Sequence, residues 1–356
     1  MANLEITALD AWALREPASR RVYTVVRLRT KSGLAGYGEC GEVSAANIDA
    51  ARRAVVGHPA TSYEAARLAL RDTPRVLPAL NTAMLDLVGK SAQAPVFQIL
   101  GGPTRNRARA LASLQGATDG DLAASVKTLH AAGLRAFAVP LPPVAARNQG
   151  QAFARAVRRR LEAVRAAAAD ADFVLDGASS LTPGDAGSLA AALERFHLLW
   201  FDEPCPVSNL AAVRKISEES ATPLGFGRHI EQPGEVQDAL REEVLDILRP
   251  DLALHGITQV RRLAALAETY YIAVAPHHDG GPIGTAAALH LAASLPNFFI
   301  QQIPVPKDEA DRRMRAELTG GSIEVIKDGF APLPAGPGLG ITVHDEALEK
   351  YQERLI

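Results

Sequence analysis

The sequence predicts an α/β protein in which a parallel barrel of alternating strands and helices follows a smaller antiparallel unit. Three observations carry this. Eight strand-like runs recur at 107–114, 134–141, 172–178, 198–203, 223–229, 244–251, 271–277 and 297–302, with alanine-rich helical segments between them. Such alternation argues for a parallel sheet, and eight repeats argue for a closed barrel, with an open sheet as the alternative. Some of these runs stop abruptly at acids: Leu198-Leu-Trp-Phe at Asp202 and Glu203, Val174-Leu at Asp176. A short apolar run so bounded reads as a buried parallel strand with its carboxylates at the C-terminal end, where barrel active sites are built.

Taken in order, residues up to about 45 read as antiparallel strands. The run 22–30 is rich in β-branched residues, Lys31-Ser-Gly33 supplies a turn, and 34–40 returns. Helical patterns follow at 47–56, 62–72 and 78–91, then a turn and a short helical segment ending at Gly101-Gly102. Within the barrel cadence, helices are expected at 123–132, 151–168, 186–196, 257–269 and 284–294. Beyond Pro306 come a charged segment, the turn-rich Gly336-Pro-Gly-Leu-Gly340 and a short final helix. The expected division is 1–105, 106–305 and 306–356.

Composition narrows the function. At 356 residues, 47% apolar and 22% charged, the chain can bury a large core and exceeds one ordinary domain. A net charge of −2 gives no field to attract nucleic acid or an anionic membrane. The basic run 155–165 lacks interleaved aromatics and reads as a solvated helix face. Gly225-Phe-Gly227 lacks the third glycine of a dinucleotide fingerprint. With Cys40 and Cys205 alone, neither a disulfide scaffold nor a structural zinc site is expected. No apolar stretch is long enough to span a bilayer, and the start lacks a signal-peptide layout, so the expected location is cytoplasmic.

The acids have a rhythm. Asp202 lies 26 residues after Asp176, about one strand-helix repeat, and a further 26 residues on stands Arg228. A three-carboxylate metal site needs an acid at that third position. Asp251 and His277 likewise close consecutive strand-like runs. Plainer readings exist for each: solvated acids closing a strand, a helix N-cap for Asp251, a solvated loop histidine for His277.

In order and spacing these features resemble the enolase superfamily, and within it the mandelate racemase/muconate lactonizing family with its acid-sugar dehydratase branch. The carriers are 81–90 running to Gly101-Gly102, the strand ends at 176, 202 and 228, Asp246-Ile-Leu-Arg-Pro-Asp251, Ala275-Pro-His277 with Gly281-Pro-Ile283, 297–300 and Pro337-Gly-Leu-Gly340. The resemblance implies an enolase-like fold, a (β/α)7β-type TIM barrel under an α+β cap domain made from both termini. It implies proton abstraction next to a carboxylate, with Mg²⁺ held by three barrel-end carboxylates to stabilise the enediolate. Asp176 and Asp202 match the first two metal ligands, His277 the base, and Asp251 the aspartate that orients it, while Glu203 could accept hydrogen bonds behind the metal. Arg228 and Gln302 then become substrate-binding candidates, because Gln302 stands where an acid often donates to the substrate carboxylate. Ala138 and Pro140 replace a Lys-x-Lys pair of many members, which argues against two-base racemisation.

Arg228 departs from the family glutamate and leaves Mg²⁺ in doubt. Either its guanidinium replaces the metal's charge and pairs with Asp176 and Asp202, or it points away or grips substrate while Mg²⁺ binds weakly through two aspartates. The implied function is a lyase that removes water from an acid sugar. The alternative is a catalytically lapsed member that binds a carboxylate metabolite. A small-molecule acid partner and a homo-oligomer agree with the resemblance; a nucleic-acid or membrane partner does not.

Overall fold

The computed structural model describes residues 3–144 and 150–355, so the first two residues of the start read above lie outside it. β1 (Ile6–Arg15), β2 (Val22–Thr30) and β3 (Ala35–Cys40) form an antiparallel meander in which Val25 and Val26 are wholly buried. Four helices follow: α1 (Ala45–Val55), α2 (Tyr63–Ala69), α3 (Leu77–Ser91) and α4 (Val96–Ile99). Ser44 caps α1 with a reciprocal capping box to Asn47, which fixes where that helix starts. The helix α3 lies on β3, and Gly36 and Gly38 let the two backbones approach closely.

The barrel then runs β4 (Arg107–Ser113), α5 (Asp119–Ala131), β5 (Ala136–Pro140), α6 (Gly150–Ala167), β6 (Asp172–Asp176), α7 (Pro183–Leu193), β7 (Phe201–Asp202) and α8 (Leu210–Glu219). It continues through β8 (Leu224–Phe226), α9 (Pro233–Arg241), β9 (Ile247–Leu248), α10 (Leu252–Glu268), β10 (Ala273–Val274), α11 (Pro282–Ser294) and β11 (Gln301–Gln302). Neighbouring strands pair in parallel from β11 through β4 to β10, and a parallel bridge between Val274 and Phe298 closes the ring. Its interior is packed by Leu111, Ala138, Val174, Trp200, Ile247 and Ile300, a filled core rather than a pore.

All eight expected strands are present, but several ladders are shorter than the apolar runs. The runs 198–203, 244–251 and 271–277 pair over two residues each, at β7, β9 and β10. Proline explains where they stop: Pro204, Pro250 and Pro276 follow these strands and have no N–H to donate. The helix expected at 257–269 begins earlier, at Leu252, and bends at Gly256.

The chain ends with α12 (Glu309–Thr319), β12 (Phe330–Pro332), α13 (Asp345–Tyr351) and β13 (Gln352–Leu355). The charged segment after Pro306 is therefore a helix, which the sequence reading missed because charges on three sides mask its narrow buried stripe, Met314 and Leu318. β12 joins β4 antiparallel, and β13 joins β1, bringing the end of the chain to the N-terminal sheet.

Candidate active site

The strand ends converge as the barrel topology requires. Asp176 ends β6 and pairs in register with Asp202 at the end of β7, which pairs with Gly225 of β8. Arg228 follows β8, Arg249 and Asp251 follow β9, His277 follows β10, and Gln302 ends β11.

Arg228 takes Asp176 in a two-pronged grip. Its Nη2 donates to Oδ1 at 2.6 Å and its Nη1 to Oδ2 at 3.2 Å. Its Nε lies 3.3 Å from Asp202 Oδ2, an ion-pair contact short of hydrogen-bond geometry. Of the two readings of Arg228, the geometry is that of pairing with both aspartates.

A second arginine, which sequence reasoning passed over, completes the arrangement. Arg249 is wholly buried. Its Nε donates to Asp202 Oδ1 at 3.0 Å, its Nη2 to Asp202 Oδ2 at 3.3 Å and Gln302 Oε1 at 2.8 Å, and its Nη1 to the Ala275 carbonyl at 2.7 Å. Trp200 Nε1 adds a hydrogen bond to Asp202 Oδ1 at 2.8 Å. Gly225 makes room for that indole: a Cβ there would stand 2.3 Å from Trp200 Cδ1. The only sequence signal was an arginine beside an apolar strand, a residue type rarely buried unless paired.

Charge follows from this packing. Burial alone would raise the Asp202 carboxyl, but Arg249 and Arg228, with hydrogen bonds from Arg249 and Trp200, hold it below the usual carboxylate range. Burial disfavours the charged Arg228, yet Asp202 and Asp176 push its pKa up. Burial and the charge of Asp202 raise Glu203, whose Oε1 accepts the backbone N–H groups of Gly227 and Arg228 at 2.8 Å each. Glu203 thus braces the backbone that carries Arg228.

The histidine pair is a separate unit. His277 Nδ1 and Asp251 Oδ2 are hydrogen-bonded, and the two residues form a parallel bridge. Asp251 Oδ1 also accepts from Leu254 N at 3.0 Å and so caps α10; the dyad and the N-cap readings describe the same side chain. Burial would raise Asp251, but the hydrogen bond and charge of His277 hold it low. His277 Nε2 has no hydrogen-bond partner among the described residues. Gln302, held by Arg249, donates Nε2 to Ser113 Oγ at 3.1 Å and is buried. Ala138 is also buried, and no lysine stands on β5. Beside Asp251, under β2 and β3, lies a cavity of about 140 Å³ lined in part by Tyr23, Glu39, Thr82 and His278.

A closed (β/α)7β barrel with a strand-and-helix cap, acids and a His–Asp pair at its strand ends, defines an enolase-like architecture. The family described as "Enolase C-terminal domain-like" matches residues 121–347, and "Mandelate racemase / muconate lactonizing enzyme, N-terminal domain" matches 10–101. The chain belongs to the mandelate racemase/muconate lactonizing enzyme family of the enolase superfamily. It is 28% identical to a D-xylonate dehydratase of Haloferax volcanii over 291 residues, 76% of this chain and 68% of that one. It is 29% identical to a D-mannonate dehydratase of a Caulobacter species over 301 residues, 76% and 73% of the two chains. Among solved structures, a mandelate racemase/muconate lactonizing enzyme-like protein of a Roseovarius species superposes with a TM-score of 0.88 at 26% identity, covering 98% of this chain and 96% of that one. No helix among the described residues is long and apolar enough to cross a membrane.

Members of the superfamily generally use Mg²⁺. The donors here do not fit it. Mg²⁺ requires oxygen ligands in near-octahedral array, and no cluster of three or more acid, histidine or cysteine side chains suited to a metal exists among the described residues. The guanidinium of Arg228 stands against Asp176 and Asp202. At 4 Å and an effective dielectric of 20 a unit-charge pair interacts by about 4 kcal/mol, so a dication beside a guanidinium meets repulsion of about twice that.

Proposed function

We propose that the chain is an acid-sugar dehydratase-type lyase in which His277 is the base. The observation that carries this is the His277–Asp251 pair at consecutive strand ends. Similarity to proteins named D-xylonate and D-mannonate dehydratase supports the substrate class. With Nδ1 bound to the carboxylate, the neutral ring carries its proton on Nδ1 and presents Nε2 as a base. His277 Nε2 takes the proton from the carbon next to the substrate carboxylate. The electron pair forms a double bond to the neighbouring carbon, whose C–O bond breaks. The leaving hydroxide takes a proton back from the imidazolium and departs as water, and the enol product tautomerises to a 2-keto acid. Arg228, through N–H groups not used by Asp176, and Gln302, through its remaining amide N–H, are the groups assigned to the substrate carboxylate.

A second reading rests on one specific observation, the arginines paired to Asp176 and Asp202. A guanidinium stabilises an enediolate less than a dication does, and a protein so built could bind a carboxylate metabolite without turning it over. A screen of aldonic and aldaric acids for 2-keto product decides between them. Turnover that falls by about 10²–10⁴-fold in His277→Asn, with unfolding unchanged, supports the lyase. Acids that raise the melting temperature with no product from any of them support the binder.

A further inference from the structure

We propose that a pair of guanidiniums, Arg228 and Arg249, has replaced the divalent cation of the enolase-type centre, and that this centre is metal-independent. The inference concerns what the site binds and stands whether or not turnover is found.

It follows from where each carboxylate oxygen points. Asp202 Oδ1 accepts from Trp200 and Arg249, and its Oδ2 accepts from Arg249 and faces Arg228. Asp176 Oδ1 accepts from Arg228 and from Ala178 N at 2.9 Å, and its Oδ2 accepts from Arg228. Glu203, the remaining acid nearby, spends Oε1 on two backbone N–H groups, and its Oε2 lies 3.3 Å from Ser179 Oγ. Two positive charges thus stand against Asp176 and Asp202, the balance a dication would supply. A planar fork holds its donors in fixed directions where a metal would hold ligands.

The two arginines are not equivalent. Arg228 sits at the rim, with 10% of its side chain exposed, against an Asp176 side chain 20% exposed. Arg249 is 1% exposed with Nε, Nη1 and Nη2 all engaged, so it has no room to swing aside. Restoring a carboxylate at position 228 therefore leaves Asp202 held. Both cations must go before three acids are free for a metal.

The test is titration calorimetry with Mg²⁺ on the full chain as wild type, Arg228→Glu, and Arg228→Glu with Arg249→Gln. The expected result is no binding heat at millimolar Mg²⁺ for the wild type. The double variant should bind at least about tenfold more tightly than Arg228→Glu. Three results overturn the proposal: a wild type that binds, an Arg228→Glu that binds as tightly as the double variant, or a folded double variant that binds nothing. If the double variant does not fold, the wild type titrated with Mn²⁺ and followed by electron paramagnetic resonance decides alone. An undiminished hexaaqua signal upholds metal independence, and stoichiometric loss of that signal ends it.

Discussion

At the scale of single residues, Asp251 carries two jobs that one substitution separates. One oxygen caps α10 and the other orients His277. In Asp251→Asn the amide keeps its oxygen on Leu254 N and turns its NH₂ toward the ring. His277 must then accept at Nδ1 and carry its proton on Nε2, the nitrogen needed as the base. Asparagine caps as well as aspartate does, so unfolding should move by no more than about 0.5 kcal/mol, while turnover falls by about 10²–10⁴-fold. Asp251→Ala should lose a further ~1 kcal/mol with the cap. Equal stability losses in both variants would remove the cap, and full turnover in Asp251→Asn would remove the dyad. Arg249 makes a different kind of claim. Arg249→Met strips the buried Asp202 of its closest cation and should cost about 3–5 kcal/mol in urea unfolding, the scale for breaking one half of a buried pair. The even spacing of 176, 202 and 228 exposed one arginine to sequence reading, because a cation stood where the rhythm expected an acid. Beyond its place beside an apolar strand, nothing marked Arg249: its partners Asp202, Ala275 and Gln302 lie on β7, just after β10 and on β11, and such convergence appears only when the barrel closes.

At the scale of elements, the helix patterns in the cap were legible because they carry apolar residues at helical spacing, and α1 starts at the side-chain cap of Ser44. The barrel strands were legible as apolar runs, and their ladder lengths were not, because proline and barrel shear set how far neighbours pair. The bend in α10 belongs to the same class of surprise. Gly256 has φ +69°, in the left-handed region, and a Cβ there would stand 3.1 Å from Pro78 Cα and 3.2 Å from Asn81 Oδ1. Just beyond, Asn81 of α3 clamps Thr258, donating to its Oγ1 at 2.7 Å and accepting from its N–H at 2.9 Å. The bend is thus what lets α10 leave the Asp251 cap and still meet α3. Gly256→Ala must strain the backbone and crowd α3 together, and should cost at least about 1–2 kcal/mol in urea unfolding. A change below about 0.5 kcal/mol would mean the bend is not required for packing.

At the scale of the whole molecule, the two units meet through buried charge. Glu16 at the end of the first strand and Glu324 both bind Arg315 of α12, and Arg315 also donates to the Gly280 carbonyl at 2.7 Å. Glu39 of β3 accepts from Gly281 N at 2.5 Å and Gly284 N at 3.0 Å at the start of α11, shortly after His277. A cap carboxylate therefore docks on the N-terminus of a barrel helix, with Tyr23, His278, Arg315 and Glu16 around it. The resemblance implied a cap made from both termini. The residues that join it were hidden, because acids and arginines far apart in the chain read as solvated until the fold brings them together. Burial pushes the Glu39 carboxyl up to about 7, against the two N–H groups and Arg315 that favour its charge. A carboxyl raised in this way keeps its proton in the fold at pH values where the unfolded chain has already ionised. The fold then binds more protons between the unfolded value and about 7, and stability falls as pH rises through that window. At its fullest the loss is on the order of 3 kcal/mol. Asp202, held low, acts in a different window, with its contribution present at neutral pH and lost only as pH falls below the ordinary carboxylate range. His278 and His290, both pushed down by burial, act in the opposite sense as pH rises toward the ordinary imidazole value, so the difference between variants is the test. From pH 5 to 8 the change of melting temperature should be more negative in the wild type than in Glu39→Gln, which has no proton to release. Glu39→Gln also loses one acceptor to Gly284 or Gly281, so its whole curve should lie lower; the slope, not the height, carries the test. Parallel curves would place the ionisation of Glu39 outside this range, and its carboxylate would then be charged throughout, as its two backbone donors favour.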